Sequence, residues 1–298
     1  YPPGSTIKPM FGLIALQNNI VTPDDRINDN GYYYFEGIER PWRDHNFARG
    51  GHGNGVNLSK AIIESCNIYF YGLGVKTGID LLSNYGSQFG LGSTTGIDMP
   101  GERPGIMPNR AWKKGAHGQS WFNGDTINAS IGQGFMLTTP LQLAVMSARI
   151  ASRGDVRSPR LVKSINGVEQ PSLQAEDSIE ISAKHWDYMH QAMEDVVHSS
   201  RGTARSISKG LDYRIAGKTG TAQAISIDAE EKYDSSKIDK RQWDHALFVA
   251  FAPVEKPKIA IGLIVENGEH GGSSAAPIAR AVFDAYMQSQ QSTTLVRR

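Results

Sequence analysis

The 298 residues carry 31 Lys and Arg against 30 Asp and Glu, a formal net charge of +1. That balance argues against a nucleic-acid binder and offers no basic patch for a membrane surface. With 39% hydrophobic and 20% charged residues, the chain has the make-up of one large globular domain or two modest ones. No apolar run approaches the ~18 residues of a membrane span. One cysteine, Cys66, rules out an internal disulfide and a multi-cysteine zinc site. The chain opens at Tyr1 inside a turn, without Met, and reads as a piece of something longer.

Pro2-Pro3-Gly4 is a turn, and Ser5 is placed to cap a helix whose buried face is Ile7, Met10, Phe11 and Ile14. Residues 23 to 57 show little periodicity and read as a long ordered loop, with a short hairpin at Tyr32 to Phe35. Asn57 caps a helix through Leu58, Ala61 and Ile62 that ends near Ser65-Cys66-Asn67. Further helices are expected at 69–76, at 80–88 and at 139–152. The last has Thr139 as cap, Pro140 in first position and Gly154 beyond its end. Ser182 caps another, with Trp186, Met189, Met193 and Val196 on one face. After 210 the pattern becomes strand-like. "YRIAGKTGTAQAI", "ALFVAFAP" and "KIAIGLIVEN" predict a three-strand antiparallel meander, with a hairpin at Val254 to Pro257. Residues 226 to 245 read as a polar surface loop, and "APIARAVFDAYM" as a closing helix. The fold class is α/β of the α+β kind: an antiparallel sheet flanked by helices, plus an all-α lobe. One domain, 1–298, is expected, helical over about 10–200 and sheet plus helix over about 210–288, with a cleft between the lobes.

Three short motifs carry chemistry, and each also occurs by chance. Ser5-x-x-Lys8 has a second copy at Ser206 to Lys209. Ser65-x-Asn67 has one at Ser164 to Asn166, and Lys218-Thr219-Gly220 has one at Lys76 to Gly78. Context separates the copies. Ser5 stands at the head of a helix with a buried face, so Lys8 falls one turn in, next to the hydroxyl. Gly210 closes off the Ser206 copy, and Lys76-Thr-Gly lies between two helices as a helix stop. Lys218 lies in the first strand of the meander, whose edge can hold an extended peptide.

In this order the motifs resemble those of the penicillin-binding protein and serine β-lactamase superfamily. The longer runs "YPPGSTIKP", "SIGQGFMLTTPLQLA" and "GKTGTAQ" resemble the class B penicillin-binding proteins of cell elongation in Gram-negative bacteria. The resemblance covers nearly the whole chain. It implies that Ser5 attacks a D-Ala-D-Ala carbonyl and holds an acyl-enzyme, with Lys8 as the candidate base. It implies that Ser65 relays a proton to the leaving amine and that Asn67 holds Lys8 and the substrate amide. Lys218, Thr219, Gly220 and Thr221 would bind the peptide carboxylate, and the N–H groups of Ser5 and Thr221 would form the oxyanion hole. No cofactor is implied for catalysis. Stem peptides and β-lactams are the implied ligands, with a membrane glycosyltransferase and a scaffold of the elongation complex as partners and no nucleic acid. The implied setting is the periplasm, on a protein anchored in the inner membrane. Related domains carry strands before the Ser5 turn, a pedestal and a membrane anchor, all outside this sequence. A serine β-lactamase and a non-catalytic β-lactam sensor are the rival readings.

A structural zinc is a separate expectation. Asp29, Asp44, His52 and Cys66 are legitimate zinc ligands and would pin the 23–57 loop to the Ser65–Asn67 turn. The spacing matches no standard zinc pattern. The alternative is that Cys66 is a small buried apolar residue and the histidines serve packing.

Overall fold

The computed structural model describes residues 1–224 and 237–296, with the side chains of 291–296 left aside. Much of the polar loop expected at 226–245 therefore lies outside the described residues.

A 3₁₀ turn, Gly4–Ile7, leads into α1, Lys8–Gln17. Ser5 sits inside that turn and caps no helix: Pro3 takes the cap position, without a side-chain bond. The expectation of a serine cap is corrected here. Two prolines at 2 and 3 hold the chain in a turn that joins the helix tangentially. Every residue of α1 from Lys8 to Leu16 is buried. A helix buried all round lies at the centre of its domain. It is packed by α2 (Leu58–Ile63), α3 (Asn67–Thr77), α4 (Ile79–Gln88) and α8 (Ala183–His198).

Between α1 and α2 the chain makes two small ladders. β1 (Ile27–Asp29) pairs with β4 (Gly53–Val56), and β2 (Tyr32–Phe35) pairs with β3 (Ile38–Arg43), all antiparallel. The expected hairpin is present and reaches to Arg43. The helix expected from 58 ends at Ile63, and the one expected at 69–76 is α3, which starts two residues earlier at Asn67. Ser65 adopts φ +61° at the break, and Cys66 caps α3 by accepting from Tyr69 N–H. The Lys76-Thr-Gly copy is a helix stop, with Gly78 at φ +77° after Thr77.

Two helices escaped the sequence reading, α5 (Arg110–His117) and α6 (Asn123–Ala129). α7 spans Pro140–Ala151, with Thr139 and Gln142 closing a reciprocal cap. Short ladders pair β5 (Asp155–Val156) with β8 (Asp177–Ser178), and β6 (Ser164–Ile165) with β7 (Val168–Glu169). The meander follows as β9 (Ala216–Ala222), β10 (His245–Ala252) and β11 (Ile259–Val265), in the spatial order β11-β10-β9. After His245 every residue of β10 is buried, so the central strand is covered on both faces. α7 packs on β11, α8 on β9, and α9 (Ala276–Val296) on β10. One apolar core runs from Ile7 through the helices and strands to Phe283.

Candidate active site

The Ser5 turn is pressed against the free edge of β9. Gly4 has φ +53°, and a Cβ there would lie 2.3 Å from Thr221 O. Gly4 N–H donates to Gly132 O at 2.9 Å. Gly132 is itself so close that a Cβ would meet Gly4 O at 2.2 Å. Both positions require glycine. The run around Gly132, noted in the sequence for its resemblance, thus has a mechanical use. Gln133 Nε2 adds a hydrogen bond to Thr221 O at 3.2 Å. The Ser5 N–H stands in the first turn and has no carbonyl behind it to bond.

Behind the turn, two lysines are fully buried. Lys8 Nζ donates to Ser65 O at 2.8 Å and to Asn67 Oδ1 at 2.7 Å, with a longer contact to Ser65 Oγ at 3.5 Å. Its ammonium also faces the Phe70 ring, 5.2 Å from the centroid. Lys218 Nζ donates to the same Ser65 Oγ at 2.8 Å and to Thr219 O at 3.0 Å. Ser65 therefore joins α1 to β9, and its bond to Lys218 spans 153 positions of sequence. Its left-handed backbone costs roughly 1–2 kcal/mol for a non-glycine residue, of a kind that gathers at functional sites.

Burial disfavours both ammonium groups. It lowers Lys8 to about 8, against an opposing pull from Asp44. It pushes Lys218 well below the usual lysine range, with the Lys8 charge adding to the effect. Lys218 shares the depression with Lys8, because the strand buries its side chain completely.

The structure brings Lys8, Ser65, Asn67 and Lys218 into one hydrogen-bonded group. Ser5 Oγ makes no hydrogen bond among the described residues, so the direct Ser5–Lys8 contact is not formed in this state. Catalytic hydrogen bonds commonly tighten only around substrate. Thr219 Oγ1 lies 2.7 Å from Thr203 Oγ1. Two hydroxyls hold two protons and use one on each other, which leaves one for a carboxylate. Thr203 was not singled out in the sequence, and nothing in its isolated Gly-Thr-Ala context marks it.

Asp44 links this group to a second cluster. Its Oδ2 accepts from Asn67 N–H at 2.6 Å and its Oδ1 lies 3.1 Å from His52 Nε2. Burial opposes its ionisation, but the His52 hydrogen bond and the neighbouring imidazoles hold its carboxyl far below the usual range. Asp29, Asp44, His52 and Cys66 each offer a ligand atom, all within 4.8 Å of one another. Tetrahedral zinc, with bonds of about 2.0–2.3 Å, spaces its ligand atoms roughly 3.3–3.8 Å apart, so the set needs only a small contraction. Cys66 Sγ donates to Asp29 Oδ2 at 3.2 Å, and burial pushes its thiol up. Two buried carboxylates, an imidazole and a thiol fit a zinc ion. His52 Nδ1 lies 3.0 Å from Glu64 Oε2, which Arg201 also engages. That outer carboxylate orients the ring so that Nε2 faces the cluster. Glu64 and Arg201 were not anticipated either.

The family described as "Penicillin binding protein transpeptidase domain" matches residues 1–284. The chain is 43% identical over 295 residues to the peptidoglycan D,D-transpeptidase MrdA of Acinetobacter baumannii, covering 98% of this chain and 43% of that protein. Among solved structures, Pseudomonas aeruginosa PBP2 in complex with WCK 5153 superposes with a TM-score of 0.86 at 41% identity. That match covers 96% of this chain and 61% of the other. The complex between PBP2 and MreC from Helicobacter pylori gives 0.81 at 33% identity, over 97% of this chain and 50% of that one. The chain spans about half the length of the curated relatives it matches. On this evidence the chain belongs to the penicillin-binding protein transpeptidase domain family.

Proposed function

We propose that this chain is the catalytic part of a peptidoglycan D,D-transpeptidase that works through an acyl-enzyme on Ser5. The observation that carries the reading is the Ser65 hydroxyl shared by two fully buried lysines beneath the Ser5 turn. A pair of buried amines around one hydroxyl resists carrying two charges. At pH 7, with Lys8 near 8, about a tenth of it is the free amine.

In the proposed reaction the stem-peptide carboxylate lies against Lys218 and the Thr203–Thr219 hydroxyl pair. That negative charge restores the Lys218 ammonium. The restored charge then drives Lys8 towards the free amine. Lys8 takes the Ser5 proton as Oγ attacks the carbonyl of the penultimate D-Ala. The oxyanion is met by the N–H groups of Ser5 and Thr221. As the C–N bond breaks, Ser65 gives its proton to the leaving D-Ala amine and takes in its place the one Lys8 removed from Ser5, which leaves Lys8 a free amine again. The ester then yields to the amine of a neighbouring stem peptide, which forms the cross-link and returns the proton to Ser5. A β-lactam follows the first half and stops at the ester.

In this reading the Asp29, Asp44, His52 and Cys66 cluster holds a structural zinc. When bound, the ion neutralises the carboxylates and fixes the loop; it takes no part in acyl transfer. We place the protein in the periplasm on an inner-membrane anchor, within an elongation complex that includes a glycosyltransferase and a scaffold. The Helicobacter pylori PBP2–MreC complex supports such a scaffold. No described helix of this chain is long and apolar enough to cross a membrane.

The test is intact mass after penicillin, on the parent and on Ser5→Ala. A stable single adduct on the parent, absent from Ser5→Ala, supports the reading. Rapid release of the drug points instead to a β-lactamase. An adduct without cross-linking of stem peptides points to a sensor. For the zinc, stoichiometric metal in protein purified without chelators is expected, and its absence removes that part of the proposal.

A further inference from the structure

A cavity of about 200 Å³ lies between the end of α4, the 93–95 segment, the last turn of α7 and β8. Gln88, Thr95, Arg149, Asp177 and Ser178 are among its walls, and no residue of the Ser5–Lys218 group is. Its chemistry centres on Arg149, which is only 9% exposed. Nη1 donates to Gln88 O at 2.7 Å, a carbonyl left over at the C-terminal end of α4. Nε is buried without any partner. Among the described residues no carboxylate pairs with this guanidinium at ion-pair distance. Glu176, whose charge it feels, is turned to Ser158 N–H and Oγ instead. A buried cation without a counter-charge is expensive, and a helix-end carbonyl offsets only part of that.

A second unpartnered group lies among the lining residues. Thr95 is 7% exposed, and its hydroxyl also lacks a partner. Its backbone is fixed, with Thr95 N–H donating to Glu102 Oε1 at 2.8 Å. Gln142 Nε2 holds Ser93 O at 2.7 Å. Gly90 has φ +92°, and a Cβ there would come within 3.0 Å of Arg149 Nη1, so the backbone yields room to the guanidinium. Asp177 Oδ1 accepts from Ser178 N–H at 2.8 Å, which leaves Oδ2 for a ligand cation. A cavity with the buried, unpaired Arg149 on one wall and the exposed carboxylate of Asp177 on another is matched to a molecule bearing both charges.

We propose that this cavity binds a free α-amino acid, its carboxylate on Arg149 and the Thr95 hydroxyl, its ammonium on Asp177. The site is separate from acyl transfer and stands whether or not Ser5 is the nucleophile. The experiment is calorimetric titration of the full chain with glycine, D-alanine, acetate and methylammonium. Saturable binding of an amino acid is expected, with acetate weaker and methylammonium silent. Arg149→Gln keeps a donor for Gln88 O and removes the charge; it should weaken the amino acid about tenfold or more, as loss of a charge-assisted bond does. Asp177→Asn should bring the amino acid down to the affinity of acetate and leave acetate unchanged. Should Arg149→Gln fail to fold, Thr95→Val reads the same wall and should weaken both carboxylates. The proposal is overturned if no amino acid saturates, if acetate matches glycine on the parent, or if binding survives these substitutions unchanged.

Discussion

Ser65 is the position where chemistry and backbone strain can be separated. Replacing it with Ala removes the hydroxyl that accepts from Lys218 at 2.8 Å and touches Lys8 at 3.5 Å. Lys218 then keeps one acceptor, Thr219 O, in a fully buried place. A hydrogen bond to a charged group contributes about 1.5–3 kcal/mol, so the acylation rate constant should fall roughly 10- to 150-fold. The φ of +61° complicates stability, because Ala is no more at ease there than Ser. Ser65→Gly resolves this. It removes the same hydroxyl but suits the left-handed backbone, and should be about 1 kcal/mol more stable than Ser65→Ala. Stopped-flow fluorescence with a reporter penicillin gives the acylation constant, and urea unfolding gives the stability. Both variants should acylate equally slowly while differing in stability. If Ser65→Gly recovers parental acylation, the hydroxyl is not the link between the lysines and the reasoning fails. Parental acylation by Ser65→Ala would have the same force.

Acylation should rise with pH and level off above about 8, as Lys8 becomes the free amine, which a pH–rate profile measures. The same depression makes Lys8 a stability term: the unfolded chain binds the extra proton between about 8 and 10.5, so the parent should gain stability relative to Lys8→Met as pH rises through that window. Gly4→Ala places a methyl 2.3 Å from Thr221 O and should abolish penicillin labelling while the far-ultraviolet spectrum is kept. Thr203→Val removes the partner of the Thr219 hydroxyl and should raise KM for a D-Ala-D-Ala peptide about tenfold with little change in kcat, read from steady-state kinetics. Cys66→Ser should lower zinc content and melting temperature together, by metal analysis and thermal unfolding, and chelator should lower the parent to the same point.

The parts of the fold legible in the sequence are those with strong local signals. The meander showed as three β-rich runs with a hairpin between the last two, and α7 showed through Thr139, Pro140 and Gly154. α5 was missed because its buried residue is a lysine. Lys113 is 2% exposed, paired with Asp125 at 2.5 Å and ringed by Trp121, Phe122 and Phe135, so apolar periodicity is absent from the helix itself. Asn109, which accepts from Trp112 N–H, was the cap signal that could have found it. At the site, motif order separated the motif copies: Lys8, Ser65, Asn67 and Lys218 meet in one hydrogen-bonded group, whereas the Lys76 copy ends a helix. Thr203, Glu64 and Arg201 were illegible for the opposite reason. They act through common hydrogen bonds to residues 16, 12 and 137 positions away, and no local pattern records such a pairing.

The segment from 27 to 56 has few apolar anchors, so polar bonds must hold it. One carboxylate among these bonds also reaches the lysine group. Asp44 gives one oxygen to the His52 ring and the other to Asn67 N–H. Asn67 in turn accepts from Lys8 through Oδ1. A shift of the loop therefore moves the first residue of α3 and, with it, an acceptor that aims the Lys8 amine. The Glu64–Arg201 pair braces the other side of the same ring, and Thr203 N–H, two residues after Arg201, donates to Ile63 O. Thr203 then reaches Thr219 on β9. The bonds that hold an otherwise loose loop thus continue to Lys8 on α1 and to Thr219 on β9, and loosening the loop should disturb the lysine geometry before it disturbs the core.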